Sequence, residues 1–319
     1  MFNLLRLTRP LNLLIIAATM YCLRWCVVLP LLRKYSPGFD LSFSGFHFFL
    51  SVLAMILLAA AGNIINDYFD QKVDRINRPH RLIVGKTVKR RVAMMLHHGL
   101  NIAAVLISLY LAWVSHLWMA IIIPVFIATL LWWYSPVLKK KAFWGNLAVA
   151  LCVASVPLWA GMFDIRAIER AYSDMLPALQ EQKLLEEVWF WLTAFAVFAF
   201  LLTLAREAQK DLEDLEGDRA EGYTTLPIVQ GEKNTRIYAA SILFIAFVLV
   251  AAGTGVYLRD NKITFLFSSL LVAAPILVSM IYTLRAQDKK GYALASRLTK
   301  LAMAGGIFFT FVIRWWLMI

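Results

Sequence analysis

The chain has 319 residues, 61% of them hydrophobic and only 16% charged, with a mean hydropathy of +0.68. Soluble domains are nearer half apolar and a quarter charged, so a soluble enzyme, a disordered chain and a disulfide-stapled secreted domain are all excluded. The net charge of +12 lacks a solvated domain to carry a nucleic-acid footprint; it is expected to report membrane topology, and no nucleic-acid partner is expected.

A helix needs about 20 apolar residues to cross the hydrocarbon core. Runs free of acidic and basic residues provide one span each at Leu41–Asn66, Ala142–Phe163, Val188–Ala205, Ile237–Leu258 and Ile263–Leu284. Val92–Leu138 is long enough for two spans turning near Ser115-His116. Leu11–Leu32 and Leu301–Ile319 complete the set, each interrupted by one arginine, Arg24 and Arg314. The expected fold is an all-α bundle of about nine transmembrane helices, one domain over residues 1–319, with a central cavity open to the cytoplasmic side. Asp164–Glu187 reads as a polar insertion on the outer face, where Ile165, Ile168, Tyr172 and Met175 recur at the spacing of a short surface helix. The N-terminus and the loops after the even-numbered spans hold 23 of the 32 Lys and Arg, which places that face in the cytoplasm and the chain in the cytoplasmic membrane. Cys22, Cys26 and Cys152 lie in apolar stretches and read as small buried hydrophobes.

The 20 acidic residues are scarce, yet eight of them fall in Asn66–Asp74 and Asp211–Asp218. Both segments contain D-x2-D-x3-D, at 67/70/74 and 211/214/218, after the second and the sixth span. On a helix this spacing places each trio on one face. Like charges there repel, and the helix C-terminus adds its own negative potential, so a cation is needed to hold them. All the ligands are oxygen, which selects a hard divalent ion; Mg²⁺ would take one or two carboxylates plus phosphate oxygens. Basic residues follow each cluster: Arg75, Arg78, Arg81 and Lys86 after the first, Arg206, Lys210 and Arg219 around the second, with Lys139, Lys140 and Lys141 in the loop after the fourth span. Arg grips phosphate in two-pronged fashion and Lys acts as a point charge, so a polyanion between metal and bases is the expected ligand. A divalent-cation transporter is the alternative from another class; it would place its acids near mid-membrane.

With its N-D-x-x-D-x-x-x-D and later D-x-x-D-x-x-x-D motifs, the sequence resembles the UbiA-type intramembrane prenyltransferases. The likeness extends to Arg9-Pro10-Leu11-Asn12, Asn77-Arg78-Pro79-His80-Arg81, Gly145-Asn146 and Thr225-Leu226-Pro227. The segment Arg206–Asp218 looks most like the branch making archaeal-type ether lipids, from which Ala208-Gln209 and Leu82 depart. The resemblance implies transfer of a prenyl group, geranylgeranyl in that branch, from its diphosphate to a lipid acceptor, geranylgeranylglyceryl phosphate. An aromatic quinone precursor of the 4-hydroxybenzoate or homogentisate type is the other acceptor implied. It further implies Mg²⁺ on Asn66, Asp70, Asp74, Asp211, Asp214 and Asp218, with Asp67 beside them in catalysis. Arg78, Arg81, Lys139, Arg206 and Lys210 would bind the diphosphate. Arg9, Asn12 and Tyr134 would bind the acceptor, and Asp67 or Glu207 would serve as base. Trp132, Trp133, Tyr134, Phe195 and Phe198 are candidates to face an allylic cation, and His80, His97, His98 and His116 read as structural or interfacial.

Overall fold

The computed structural model describes residues 2–35, 38–77, 82–173, 181–259 and 261–318. Among the described residues it is all-α. The principal helices are α1 (Pro10–Tyr35), α2 (Gly45–Phe69), α3 (Gln71–Asn77), α4 (Arg90–Ser115), α5 (Trp118–Tyr134), α6 (Trp144–Ala171), α7 (Glu181–Glu213), α8 (Leu215–Ala220), α9 (Glu232–Tyr257), α10 (Lys262–Arg285) and α11 (Lys289–Met318). Eight of these are long and apolar enough to cross a membrane; α5 is apolar but shorter. The turn expected inside the long Val92–Leu138 run is present: His116 takes a left-handed conformation (φ 51°) and caps α4. Single π-turns interrupt α1 at Arg24–Val28 and α10 at Ser269–Ala273, and Pro157 lies within α6.

The chain forms two compact units, Met1–Ser135 with Ser155–Ala196 and Pro136–Ala154 with Val197–Ile319, so α6 and α7 each contribute to both. In the first unit, Trp159 is fully buried and donates its indole N–H to the Ser51 carbonyl at 3.0 Å. Its ring meets Phe163 edge-on at 4.9 Å, and Phe163 stacks on Phe43 at 5.4 Å. Beneath these rings lies a buried ion pair: the Arg24 guanidinium stands 3.1 Å from the Asp164 carboxylate, with their side chains 3% and 0% exposed. Arg24 also donates to the Phe43 carbonyl and sits 4.2 Å over the Phe48 ring. By sequence, Asp164 opens a polar outer insertion. Instead, α6 continues unbroken to Ala171, burying Asp164, Ile165 and Ile168, because a partner for the carboxylate waits inside. The expected helix is therefore the end of α6 and not a separate surface element; Met175 lies outside the described residues. Lys34 and Tyr35 both bond Glu187 at 2.9 Å, tying the end of α1 to the start of α7.

In the second unit, close helix contacts depend on small residues. A Cβ at Gly305 in α11 would collide with the Leu271 carbonyl in the π-turn of α10, and one at Gly306 would press on Phe198 of α7 at 3.1 Å. Without a hydrophobic drive between helices in lipid, such close approach supplies much of their association. Gly305→Val is expected to destabilise the protein by about 3 kcal/mol or prevent its folding; a melting temperature in detergent equal to wild type would contradict this packing.

Candidate active site

Each acidic segment is built on the same backbone device. The helix α2 ends at Phe69 and α3 begins at Gln71, leaving Asp70 alone at the break with φ −79° and ψ 1°. Likewise α7 ends at Glu213 and α8 begins at Leu215, leaving Asp214 at φ −95° and ψ 5°. This sparsely populated bridge conformation bends the chain without breaking its hydrogen-bond ladder. The Asp70 N–H donates to the Asn66 carbonyl at 2.9 Å and the Asp74 N–H to the Asp70 carbonyl at 2.8 Å. In the other segment, Asp214 donates to Lys210 at 2.8 Å and Asp218 to Asp214 at 3.1 Å. Asn66, Asp70 and Asp74 thus follow one another along one side of a kinked helix, as do Lys210, Asp214 and Asp218. Asp70 and Asp218 are both buried.

In the first unit the structure brings Arg9 to the acidic segment. Arg9 caps α1 in a left-handed conformation (φ 55°) that costs a non-glycine residue energy. Its guanidinium bonds the Asp67 carboxylate at 2.5 Å, and the Asn63 amide donates to the neighbouring Thr8 carbonyl at 2.9 Å, so the Thr8–Arg9 turn is stitched to α2. Partial desolvation works against the charge of the half-exposed Arg9, but Asp67 and Asp70 outweigh it and hold the guanidinium above its ordinary pKa. Tyr134, at the end of α5, is also within electrostatic reach of Arg9. Asn12 lies in the first turn of α1, its N–H donating to the Arg9 carbonyl at 2.9 Å. The three residues assigned to the acceptor therefore share a neighbourhood, with Asp67 as the partner of Arg9.

In the second unit, Asn146 at the start of α6 donates its amide to Asp211 at 2.9 Å. Glu207 is buried and bonded by Arg206 at 3.0 Å and Lys210 at 3.1 Å, and Lys139 also interacts with it electrostatically. Lys139 is placed by a fixed turn. Thr224 donates to the Lys140 carbonyl through its backbone at 2.8 Å and its hydroxyl at 3.0 Å, and the Lys140 ammonium lies over the Tyr223 ring. A side chain on Gly145 would strike the Lys139 Cα, so glycine is needed where this turn meets α6. Lys300 of α11 is close enough to Arg206 for the two charges to interact. The result is three cations, Lys139, Arg206 and Lys210, about one buried carboxylate near Asp211, with Lys300 within reach of Arg206.

Arg78 and Arg81 lie outside the described residues, as does His80. Among the aromatic candidates, Trp132 stacks on His97 and meets His98 at a tilt, Trp133 is 55% exposed, and Phe198 packs on Gly306. His97 bonds the Ala61 carbonyl at 2.9 Å and is structural. Sequence reasoning missed Asn146 and Lys300 as site residues; the Gly145-Asn146 pair was the available signal for the first, and Lys300 had none.

The acidic donor set suits a magnesium ion. It is entirely oxygen, and among the described residues no three His, Cys, Asp or Glu converge closely enough to hold an ion unaided. Mg²⁺ prefers oxygen ligands, typically one or two carboxylates, and completes its octahedron with water and phosphate oxygens.

The sequence profile of the UbiA prenyltransferase family matches residues 13–312. Digeranylgeranylglyceryl phosphate synthase of Methanothermobacter thermautotrophicus is 32% identical over 260 residues, 81% of this chain and 82% of that one. A solved structure concerning digeranylgeranylglyceryl phosphate synthase in membranes superposes with a TM-score of 0.63 at 22% identity, covering 98% of this chain and 97% of the other. A UbiA homologue from Archaeoglobus fulgidus bound to DMAPP and Mg²⁺ gives 0.53 at 17% identity, covering 98% of each chain. These two likenesses establish the shared fold. With a family match over nearly its whole length and apolar spanning helices, the chain is an integral-membrane prenyltransferase and belongs to the UbiA prenyltransferase family.

Proposed function

We propose that this prenyltransferase moves a geranylgeranyl group from its diphosphate to the free hydroxyl of geranylgeranylglyceryl phosphate, forming a prenyl ether, with diphosphate as the leaving group and the hydroxyl proton passing to a carboxylate base, Asp67 or Glu207. The observation that carries the reading is the kinked acidic helix, used twice, with a cluster of cations beside the second copy. Bound Mg²⁺ would neutralise the negative charge that builds on the departing diphosphate. Asn66, Asp70, Asp74, Asp211, Asp214 and Asp218 supply the oxygen ligands, and Asn146 orients Asp211 among them. Lys139, Arg206 and Lys210, with Arg78 and Arg81, share the diphosphate charge; Lys300 joins them by position. Glu207 keeps Arg206 and Lys210 drawn together so that their charges act as a group. Arg9, Asn12 and Tyr134 receive the acceptor, whose phosphate suits a guanidinium. The helices exclude water from the allylic cation that forms as the carbon–oxygen bond to diphosphate breaks.

The acceptor follows from the similar protein that bears the synthase name. The N-terminus and both acidic segments belong on the cytoplasmic side of the cytoplasmic membrane, a placement supported by 23 of 32 basic residues on that face. The test supplies purified protein in lipid with Mg²⁺, labelled geranylgeranyl diphosphate and either geranylgeranylglyceryl phosphate or 4-hydroxybenzoate. Labelled ether with the glycerol phosphate alone is expected; product with 4-hydroxybenzoate alone would overturn the lipid reading in favour of an aromatic acceptor.

A further inference from the structure

Gln209 lies within the charged segment Arg206–Asp211 of α7 but on the helix's buried side, and its surroundings explain its presence there. It is fully buried, and so are Ser279 and Thr283 of α10 and Thr299 of α11. The Gln209 amide donates to the Thr283 hydroxyl at 2.7 Å and to the Ser279 hydroxyl at 3.3 Å, while the Thr299 hydroxyl donates to the Gln209 carbonyl at 2.8 Å. Ser279 and Thr299 are themselves bonded at 2.7 Å. Both amide hydrogens and the carbonyl are used, on two neighbouring helices. At 3.6 residues per turn, Gln209 stands about 160° around α7 from both Glu207 and Asp211. The back of the helix is clamped where its front carries the site.

We infer that Gln209 is a positioning residue: through Ser279, Thr283 and Thr299 it sets the rotation of the last turns of α7, and thereby the direction in which Asp211 and Lys210 point. Apolar faces packed in lipid resist small rotations weakly, whereas an amide read by hydroxyls on two helices is satisfied at one angle only. With side-chain tips about 5–6 Å from the helix axis, a turn of about 20° moves the Asp211 carboxylate by roughly 2 Å. Displacement of that order at a reacting centre is costly. The inference rests on the reading of Asp211 as a metal ligand.

Removal of Gln209 leaves no buried donor stranded. Ser279 and Thr299 can both donate to the Ala295 carbonyl, at 3.1 and 3.2 Å, and Thr283 donates to the Ser279 carbonyl at 2.7 Å. Gln209→Leu and the length-matched Gln209→Met are therefore expected to fold and to melt within a few degrees of wild type. The experiment measures Mn²⁺ binding by electron paramagnetic resonance on the full-length protein in lipid, saturated with geranylgeranyl thiolodiphosphate, an analogue that resists transfer and completes the ion's shell, alongside kcat and KM. Both variants should bind Mn²⁺ about 10-fold more weakly and turn over about 10-fold more slowly, with KM for the acceptor unchanged. Thr299→Val, on another helix, should reproduce the defect in milder form, and keeps the inference testable should a Gln209 variant fail to fold. Wild-type Mn²⁺ affinity and kcat in a folded Gln209→Met would overturn the inference, showing that Gln209 only fills space. Absence of Mn²⁺ binding in the wild type would instead overturn the metal reading, and the inference with it.

Discussion

Asp70→Asn and Asp211→Asn should each reduce turnover by about 10³-fold while the protein remains folded. Asparagine keeps the shape of the side chain and removes the charge that a divalent ion needs, so the effect isolates electrostatics from packing. Loss of one preorganised group that stabilises developing charge commonly costs about 10²–10³ in rate. At position 211 the asparagine can still accept the Asn146 amide bond, so the local structure has no reason to collapse. At position 70 the backbone break and its ladder bonds involve main-chain atoms alone and survive the change. Steady-state rates with labelled prenyl diphosphate, set against thermal melting of the same preparations, check both halves of the expectation. Wild-type turnover in either variant would refute the assignment of that aspartate.

The second large effect concerns stability and leaves the chemistry alone. Asp164→Ala should destabilise the protein by about 3–5 kcal/mol, because it strands the Arg24 guanidinium inside the first unit. The paired replacement Arg24→Met with Asp164→Leu should recover most of that loss, since a buried ion pair and a well-packed apolar pair of similar volume differ little in stability. Activity per folded molecule should stay near wild type in both. Thermal melting of Arg24→Met, Asp164→Leu and the double variant that combines them forms the cycle that measures the coupling. A melt of Asp164→Ala matching wild type would show that water or lipid headgroups already reach the arginine.

The spans and the two acidic segments were legible in the sequence because each depends on residues near one another in the chain. Counting uncharged runs found the helices but cut them short wherever a charge appeared. Asp164 ended a run on paper, yet α6 carries it inward to meet Arg24, 140 positions earlier in the numbering. The segment Arg206–Glu213 was placed beyond its span, whereas α7 runs through it because Glu207 neutralises its own neighbours. The spacing 67/70/74 put the carboxylates on one face, and the structure refines this: each helix is kinked at its middle aspartate. No local pattern encodes that kink. Gln209 appeared only as a departure from an apolar pair; its partners lie 70 to 90 residues away and become visible once α10 and α11 are placed. Lys300 likewise joins Arg206 through tertiary structure alone.

The central claim is that the two acidic segments serve one metal-dependent diphosphate reaction. Its most direct test is equilibrium binding of geranylgeranyl thiolodiphosphate, an analogue that resists transfer, to the protein in lipid with and without Mg²⁺. Wild type should bind it only when Mg²⁺ is present, and Asp70→Asn and Asp211→Asn should each lose most of that binding. Undiminished binding without the ion, or in either variant, would contradict the account.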